Sequence, residues 1–509
     1  MNTVDTSTPP ITSVEPLPRS AQSQPTRSRA KTILWNFGSL SAGGVFGRMT
    51  SLVTNAVLAR RISASGFGVT GISQSVTLYF NLFADLGLGT VAVREGAQNP
   101  GKLQSVIASI LGLRVILALL LVPLGLVTAQ YLPYSEASRN LFRIYLVTLP
   151  IQALSVEWVF RSIQKMHLNT ALQVTTALVT LVLTIVLVRS PQDVIRVAEI
   201  SAIVAAAEVL LGICLLHREG FSSRPVFSLR ESRYFLMQSL PLCATSFAIT
   251  LYTQANNLIL GAVRGESEVG LYVAATRLSF ICYYPVWLYF GAMAPALMEL
   301  WALSQDKARS LLSASVRATA IVSIGSGLVA STASQWVITR VFGKAFTGSG
   351  AAFELLVWTG VVIAIGHNWG ELCVACRKNR LLMQSTFLGA FVNLAVCALT
   401  VSRMGIRGAA LSNLMAEVSV HAFLALSFGW DLGLSVLRSA LKPILAGAGS
   451  YGVALATRSS GLLLCATLTA LSYLALLFAI GGLTIRDVNR LRALIPMRRH
   501  AAEVPETPF

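Results

Sequence analysis

Charge is scarce in this chain. Only 12% of its 509 residues are Asp, Glu, Lys or Arg, and 22 acidic residues stand against 40 basic ones. A soluble globular protein carries roughly a quarter charged residues, so that class is excluded. Long polar loops are scarce as well: the longest internal one spans only 217–233 and is basic. No Gly-rich phosphate loop, catalytic triad or metal constellation appears in the sequence. A membrane glycosyltransferase, polymerase or ligase generally needs a sizeable extramembrane loop with acids or histidines, so the chain is not expected to be an enzyme. The seven cysteines all fall in or at the edges of apolar segments. Cys373 and Cys376 have the spacing of a redox or metal pair, but no second pair accompanies them, so packing is their expected role and no metal or cofactor is expected. The net charge of +18 comes with no nucleic-acid motif. Basic loops that set membrane orientation account for it.

Apolar stretches are what the chain has in abundance. Hydrophobic residues make up 54% of it. Runs of about 20 such residues recur along nearly the whole length, which predicts an all-α polytopic membrane protein. Fourteen spans are expected near 34–58, 67–91, 104–130, 140–160, 168–188, 194–216, 234–262, 268–299, 311–339, 349–373, 381–402, 405–429, 436–457 and 461–483. Residues 1–31 are polar, rich in Pro, Ser and Thr, lack the apolar core of a signal peptide, and read as a disordered cytoplasmic tail. With that tail inside, 25 Lys and Arg fall on the cytoplasmic side and 11 on the other. That bias predicts both termini in the cytoplasm.

The sequence also repeats itself. Segment 55–68 (NAVLARRISASGFG) and segment 257–270 (NLILGAVRGESEVG) align without a gap at an offset of 202, matching Asn55 with Asn257, Leu58 with Leu260, Ser65 with Ser267 and Gly68 with Gly270. A weaker echo at an offset of 211 pairs Ile195, Arg196 and Ser201 with Ile406, Arg407 and Ser412. Both echoes lay spans 1–6 over spans 7–12. The expected organisation is an N-lobe (32–216), a basic linker (217–233), a C-lobe (234–430), two added spans (431–485) and a basic cytoplasmic tail (486–509). Six spans per lobe give both lobes the same orientation, as in transporters that rock two lobes around a central site.

A few charges sit inside spans. Arg277 lies about nine residues into the otherwise nearly uncharged segment 269–298, Arg48 lies in 35–58, and Arg114 lies about ten residues into span 3. An arginine deep in a bilayer is costly unless it meets a polar cavity or a partner, and it does not shed its proton. Its fork donates two hydrogen bonds in one plane, which suits phosphate. Arg48, Arg277 and Arg114 are therefore candidate substrate cations. Because the offset of 202 pairs Arg277 with Ser75 and Arg48 with Thr250, Arg48 and Arg277 are not symmetry mates, and an asymmetric diphosphate clamp is expected. Asn55, Gln74, Tyr79, Asn81, Tyr252, Gln254, Asn256 and Asn257 are the polar candidates for sugar contact. Asp85, Glu157, Glu208, Glu371, Glu417 and His421 are candidates for coupling to H+ or Na+, and Glu417 and His421, four apart, share a helix face. Pro150, Pro241, Pro285 and Pro295 are expected to interrupt spans 4, 7 and 8.

Several segments resemble the Wzx-type polysaccharide flippases of the MOP superfamily, which also contains the MATE exporters and the lipid II flippases. They are Leu58-Ala-Arg-Arg61, Gly66-Phe-Gly68, Asp85-Leu-Gly-Leu-Gly89 and Ala92-Val-Arg-Glu95 in the first two spans, and Glu157-Trp-Val-Phe160 in the fourth. Leu251-Tyr252, Leu260-Gly261, Glu268-Val-Gly-Leu-Tyr272 and Ala274-Ala-Thr-Arg277 look like spans 7 and 8, and Gly405-Ile-Arg-Gly-Ala-Ala410 like the start of span 12. The resemblance implies a V-shaped fold with spans 1, 2, 7 and 8 lining a central cavity; in some relatives spans 13 and 14 form a side groove for lipid. It implies movement of an undecaprenyl-pyrophosphate-linked oligosaccharide from the cytoplasmic to the periplasmic leaflet of a bacterial inner membrane, alongside the polymerase and export machinery. The family's frequent acid near Asn256 and Asn257 is absent here, which argues against a cation site at that point. A MATE-like exporter of small cations is the competing reading, and the arginines weigh against it.

Overall fold

The computed structural model describes residues 26–483. Their seventeen α-helices are α1 (Thr26–Asp85), α2 (Leu88–Gln98), α3 (Leu103–Tyr131), α4 (Glu136–Leu146), α5 (Thr148–Ala153), α6 (Glu157–Ser162), α7 (Met166–Leu187), α8 (Val194–Arg218), α9 (Leu229–Arg264), α10 (Glu266–Leu303), α11 (Gln305–Thr332), α12 (Ser334–Phe342), α13 (Gly350–Ala375), α14 (Asn379–Met404), α15 (Ile406–Ser427), α16 (Trp430–Ala456) and α17 (Leu462–Ala479). No strand occurs among the described residues. A backbone in hydrocarbon must satisfy its own hydrogen bonds, and helices do so. Among the described residues, eleven helical stretches are long and apolar enough to cross a membrane. This is a multi-pass membrane protein. Length and hydropathy alone do not reproduce the expected fourteen spans. The first two expected spans share one stretch, Gly43–Gln98. The expected span at 140–160 is three short helices, α4 to α6. The expected tails at 1–31 and 486–509 lie largely or wholly outside the described residues.

The prolines act unequally. Around Pro150 the helix is broken, whereas α9 continues through Pro241 and α10 through both Pro285 and Pro295. Neighbouring helices can re-satisfy the freed carbonyls in a packed membrane bundle, so a proline need not end the helix there.

The break in α1 falls at Ser63, with φ 65° and ψ 174°. At the offset of 202 this position corresponds to Gly265, which joins α9 to α10 with φ 88° and ψ 173°. The backbone conformation thus repeats where the sequence repeats. That region of φ/ψ space is nearly reserved for glycine. The first copy places a serine in it.

Just beyond these breaks the two copies meet. A Cβ added at Gly68 would overlap Glu266 O, and one added at Gly270 would overlap Ala64 O. Ala64 and Glu266 are themselves related by the offset of 202. The crossing of α1 and α10 is therefore reciprocal, the pattern of a two-fold contact, and the absence of side chains lets the backbones touch. Around it lies the largest buried apolar cluster, with Leu58, Ile62, Phe67 and Ile72 from α1 and Val269, Tyr272 and Val273 from α10. Phe67 meets Phe346 edge-on at 5.8 Å.

Polar contacts close the same end of the molecule. Glu266 accepts hydrogen bonds from the hydroxyls of Ser135 and Ser138 at the start of α4. Tyr134 donates to Leu258 O at 3.0 Å, and Arg60 donates to Val341 O at 3.1 Å. The part of α1 before the break lies along α7, with Gly43 beside Thr170 and Arg61 donating to Ile185 O at 2.6 Å.

Candidate functional site

A cavity of about 540 Å³ lies between the second part of α1 and helices α9, α10, α13, α14 and α15. Each wall presents residues three or four apart, which is how a helix turns one face to a cavity. From α1 come Gly71, Ser75 and Leu78, with Gln74 beside them; from α15 come Asn413, Glu417, Val420, His421 and Leu424. Helix α13 supplies Leu356, Thr359, Ile363, His367 and Gly370.

Arg277 lines this cavity and is half-buried. Its Nη2 donates to Gln74 Oε1 at 2.7 Å, and Gln74 Nε2 donates to Tyr145 OH at 3.1 Å. Among the described residues, no carboxylate pairs with Arg277. A guanidinium held by a neutral amide keeps its whole positive charge. In a low-dielectric site an anion is then the stabilising partner. Next to it, Asn257 donates to Ser75 Oγ at 2.8 Å, and Ser75 donates to Gln254 Oε1 at 3.0 Å. These bonds tie α9 to α1 and fix the amides at the cavity wall.

The opposite wall holds the acid. Tyr252 OH donates to Glu417 Oε1 at 2.7 Å, and His421 Nε2 lies 3.3 Å from Glu417 Oε2. A second pair of the same spacing occurs on α13, where His367 Nε2 lies 3.4 Å from Glu371 Oε1. His367 packs against Trp287, with ring centroids 5.0 Å apart. Trp287 is 55% exposed and lines the cavity.

Seven of the sequence candidates therefore line one cavity: Arg277, Gln74, Asn257, Tyr252, Gln254, Glu417 and His421. Others lie elsewhere. Arg48 is on the first part of α1, exposed, with its guanidinium 4.3 Å over the Tyr284 ring. Asn55 spends its amide on Ser51 O of its own helix, at 2.7 Å. The expected clamp of Arg48 and Arg277 in one cavity is not what the structure contains. Of the expected lining by spans 1, 2, 7 and 8, spans 2, 7 and 8 line the cavity and span 1 does not: the first part of α1 is turned onto α7, and α13, α14 and α15 complete the wall.

Arg114 and Asp85 form an ion pair with each other, and Arg114 Nη1 reaches Ser155 O at 3.4 Å. They line a second cavity, about 390 Å³, with Asn81, Glu157, Arg161 and Glu208. Five of the coupling candidates are thus divided between two cavities, and Glu371 lines neither, pairing with His367. Asn256 is fully buried in an amide network, donating to Ala409 O and Asn413 Oδ1, both at 3.0 Å. Tyr79 OH reaches Thr250 O at 3.4 Å. The sequence reading missed His367, Trp287, Tyr283 and Asn413 among the lining residues. The spacing that picked out Glu417 and His421 would have found His367 from Glu371.

A multi-helix membrane bundle around a largely apolar cavity that carries a polar stripe fits a transport protein. The fold is similar to that of the lipid II flippase MurJ in an inward closed conformation, with a TM-score of 0.72 at 13% identity over 89% of this chain and 99% of that one. It is also similar to an inward-facing multidrug resistance MATE family transporter of the MOP superfamily, with a TM-score of 0.61 at 13% identity over 77% and 96%. The family model for polysaccharide biosynthesis proteins matches residues 33–301, more than half of the sequence, and the chain belongs to that family. Its curated relatives include candidate O-antigen transporters. The one from Shigella dysenteriae is 23% identical over 72% of this chain and 92% of its own length. The one from Escherichia coli (strain K12) is 22% identical over 45% of this chain, and the match spans 55% of that relative.

Proposed function

We propose that this protein is a flippase that moves an undecaprenyl-pyrophosphate-linked oligosaccharide from the cytoplasmic to the periplasmic leaflet by alternating access, for exopolysaccharide, O-antigen or capsule biosynthesis. The observation that carries this reading is Arg277, a cavity cation with a neutral partner and no paired carboxylate among the described residues. The diphosphate binds there, with Gln74, Gln254 and Asn257 as further donors. The sugar lies against Trp287, among Thr359, Asn413 and Thr386. Transport of this kind makes and breaks no covalent bond, so the protein is not an enzyme. A small-cation exporter would need a free acid in the cavity, whereas Glu417 is held between Tyr252 and His421.

The same reading sets fourteen crossings in a bacterial inner membrane, with both termini cytoplasmic and two lobes at 32–216 and 234–430. Glu417 and His421 in the central cavity, and Glu208 and Asp85 in the second, are where H+ or Na+ would couple to the cycle. The test is Arg277→Ala in the native host. The expected result is normal insertion, loss of surface polysaccharide, and lipid-linked precursor retained in the inner leaflet. Normal polysaccharide at normal protein levels would overturn the assignment.

A further inference from the structure

A third cavity, about 410 Å³, lies beside the central one between α10, α11 and α13. Its lining is more uniformly apolar than that of the central cavity, which carries Arg277, Glu417 and His421. None of its lining residues is charged, and small residues floor it: Ala318, Ser326, Gly327, Gly360 and Ala364. Its rim is exposed at Cys282, Pro285 and Val322, the last 71% accessible. An exposed apolar recess without charge suits hydrocarbon.

One side chain belongs to both cavities. Tyr283 lines the central cavity and this one. Its ring fills the place a side chain would occupy at Gly360, so α10 and α13 are sealed by a tyrosine set against a glycine. The Tyr283 hydroxyl is buried, with Ser279 of the preceding turn beside it. One ring set against one glycine makes this seal.

The central cavity is proposed to hold a diphosphate and sugars, and such a cargo carries an apolar tail. The polar groups of the central cavity, Arg277 and Glu417 among them, gain nothing from contact with that tail, whereas the lateral cavity is lined by no charged residue. We propose that the lateral cavity is the seat of the cargo's polyisoprenoid chain, with Tyr283 as the gate through which tail and head group remain connected. The inference rests on the flippase reading of the central cavity. It adds a binding site formed by α10, α11 and α13, separate from α16 and α17.

Cys282 on the rim is a native reporter. The full chain is placed in lipid nanodiscs with Cys214 and Cys376 replaced by serine, and the rate of maleimide labelling at Cys282 is followed. Undecaprenyl pyrophosphate is expected to slow labelling severalfold, whereas inorganic pyrophosphate leaves it unchanged. Val322→Trp, at an exposed position, is expected to weaken undecaprenyl pyrophosphate severalfold and to leave geranyl pyrophosphate, which has a short tail, unaffected. Binding of undecaprenyl pyrophosphate that is lost in Arg277→Ala, with Cys282 still labelling freely, would overturn the tail site and leave the flippase reading standing. No Arg277-dependent binding at all would overturn both. Slow labelling that depends only on the nanodisc phospholipid would assign the recess to bulk acyl chains and refute the proposal.

Discussion

Gly68→Ala should open the end of the molecule that the α1–α10 crossing holds shut. The new methyl would be directed at the backbone oxygen of Glu266, which cannot swing aside as a flexible side chain could. The helices must separate, and overpacking of this kind costs about 1–3 kcal/mol. That cost falls on the state in which the two glycines touch and is absent once the end has opened. With 1.4 kcal/mol per factor of ten, a central value of about 2 kcal/mol shifts the ratio of closed to open molecules by about 30-fold. Ser65 and Ser267 are exposed and flank the crossing, so spin labels there report its width. The reasoning predicts that Gly68→Ala moves the distance distribution between these labels outward, and that Gly270→Ala does the same because the contact is reciprocal. A folded Gly68→Ala protein with an unchanged distribution would refute the argument that this crossing sets the closed state.

Other predictions follow from single residues. Ser63→Gly should raise the thermal midpoint in detergent: relief of a glycine-only conformation is worth about 1–3 kcal/mol, and the added chain entropy gives back about 0.5–1 kcal/mol. Gly265→Ser should lower the midpoint by a similar strain, since it adopts the same dihedrals without a side chain. Asp85→Asn leaves the Arg114 guanidinium, 11% exposed, without its counter-charge; because Asp85 is itself 40% exposed, the cost should fall to about 1–3 kcal/mol, below that of a fully buried pair. Thermal unfolding of the purified variant checks it, and an unchanged midpoint would show that the pair is screened.

Much of this molecule could be read before its structure. Arg277 was conspicuous because a charge in an apolar run needs a reason, and the structure gives it a cavity. Asn257, Tyr252 and Gln254 came with it because they lie on one helix, within reach of the same wall. Glu417 and His421 were legible from their four-residue spacing. Arg48 was equally conspicuous and went elsewhere. Depth along a helix is a property of sequence, whereas the direction a residue faces depends on which neighbour the helix packs against, and the first part of α1 packs on α7. The Gly68 and Gly270 match was visible as a pair of letters. That the two residues touch each other was not, because a repeat offset gives correspondence and carries no distance. The pairing of Asp85 with Arg114 joins residues far apart in sequence and split two candidate roles into one local ion pair. His367 was lost in an α13 segment whose apolar character hides a polar stripe.

The central cavity takes one strip from the first half of the chain and five helices from the second. That imbalance divides the labour between the halves. A cargo resting there would be gripped almost wholly by the second half, while the first half covers it, as a lid covers a bowl. Substitutions in α9, α10 and α13 to α15 should then alter which cargo is accepted and how tightly. Substitutions around Ser63, Gly68 and the α4 serines should leave that choice intact and alter how often the lid moves. Selection for a new sugar can therefore rework the bowl residue by residue while the lid and its hinge are left alone.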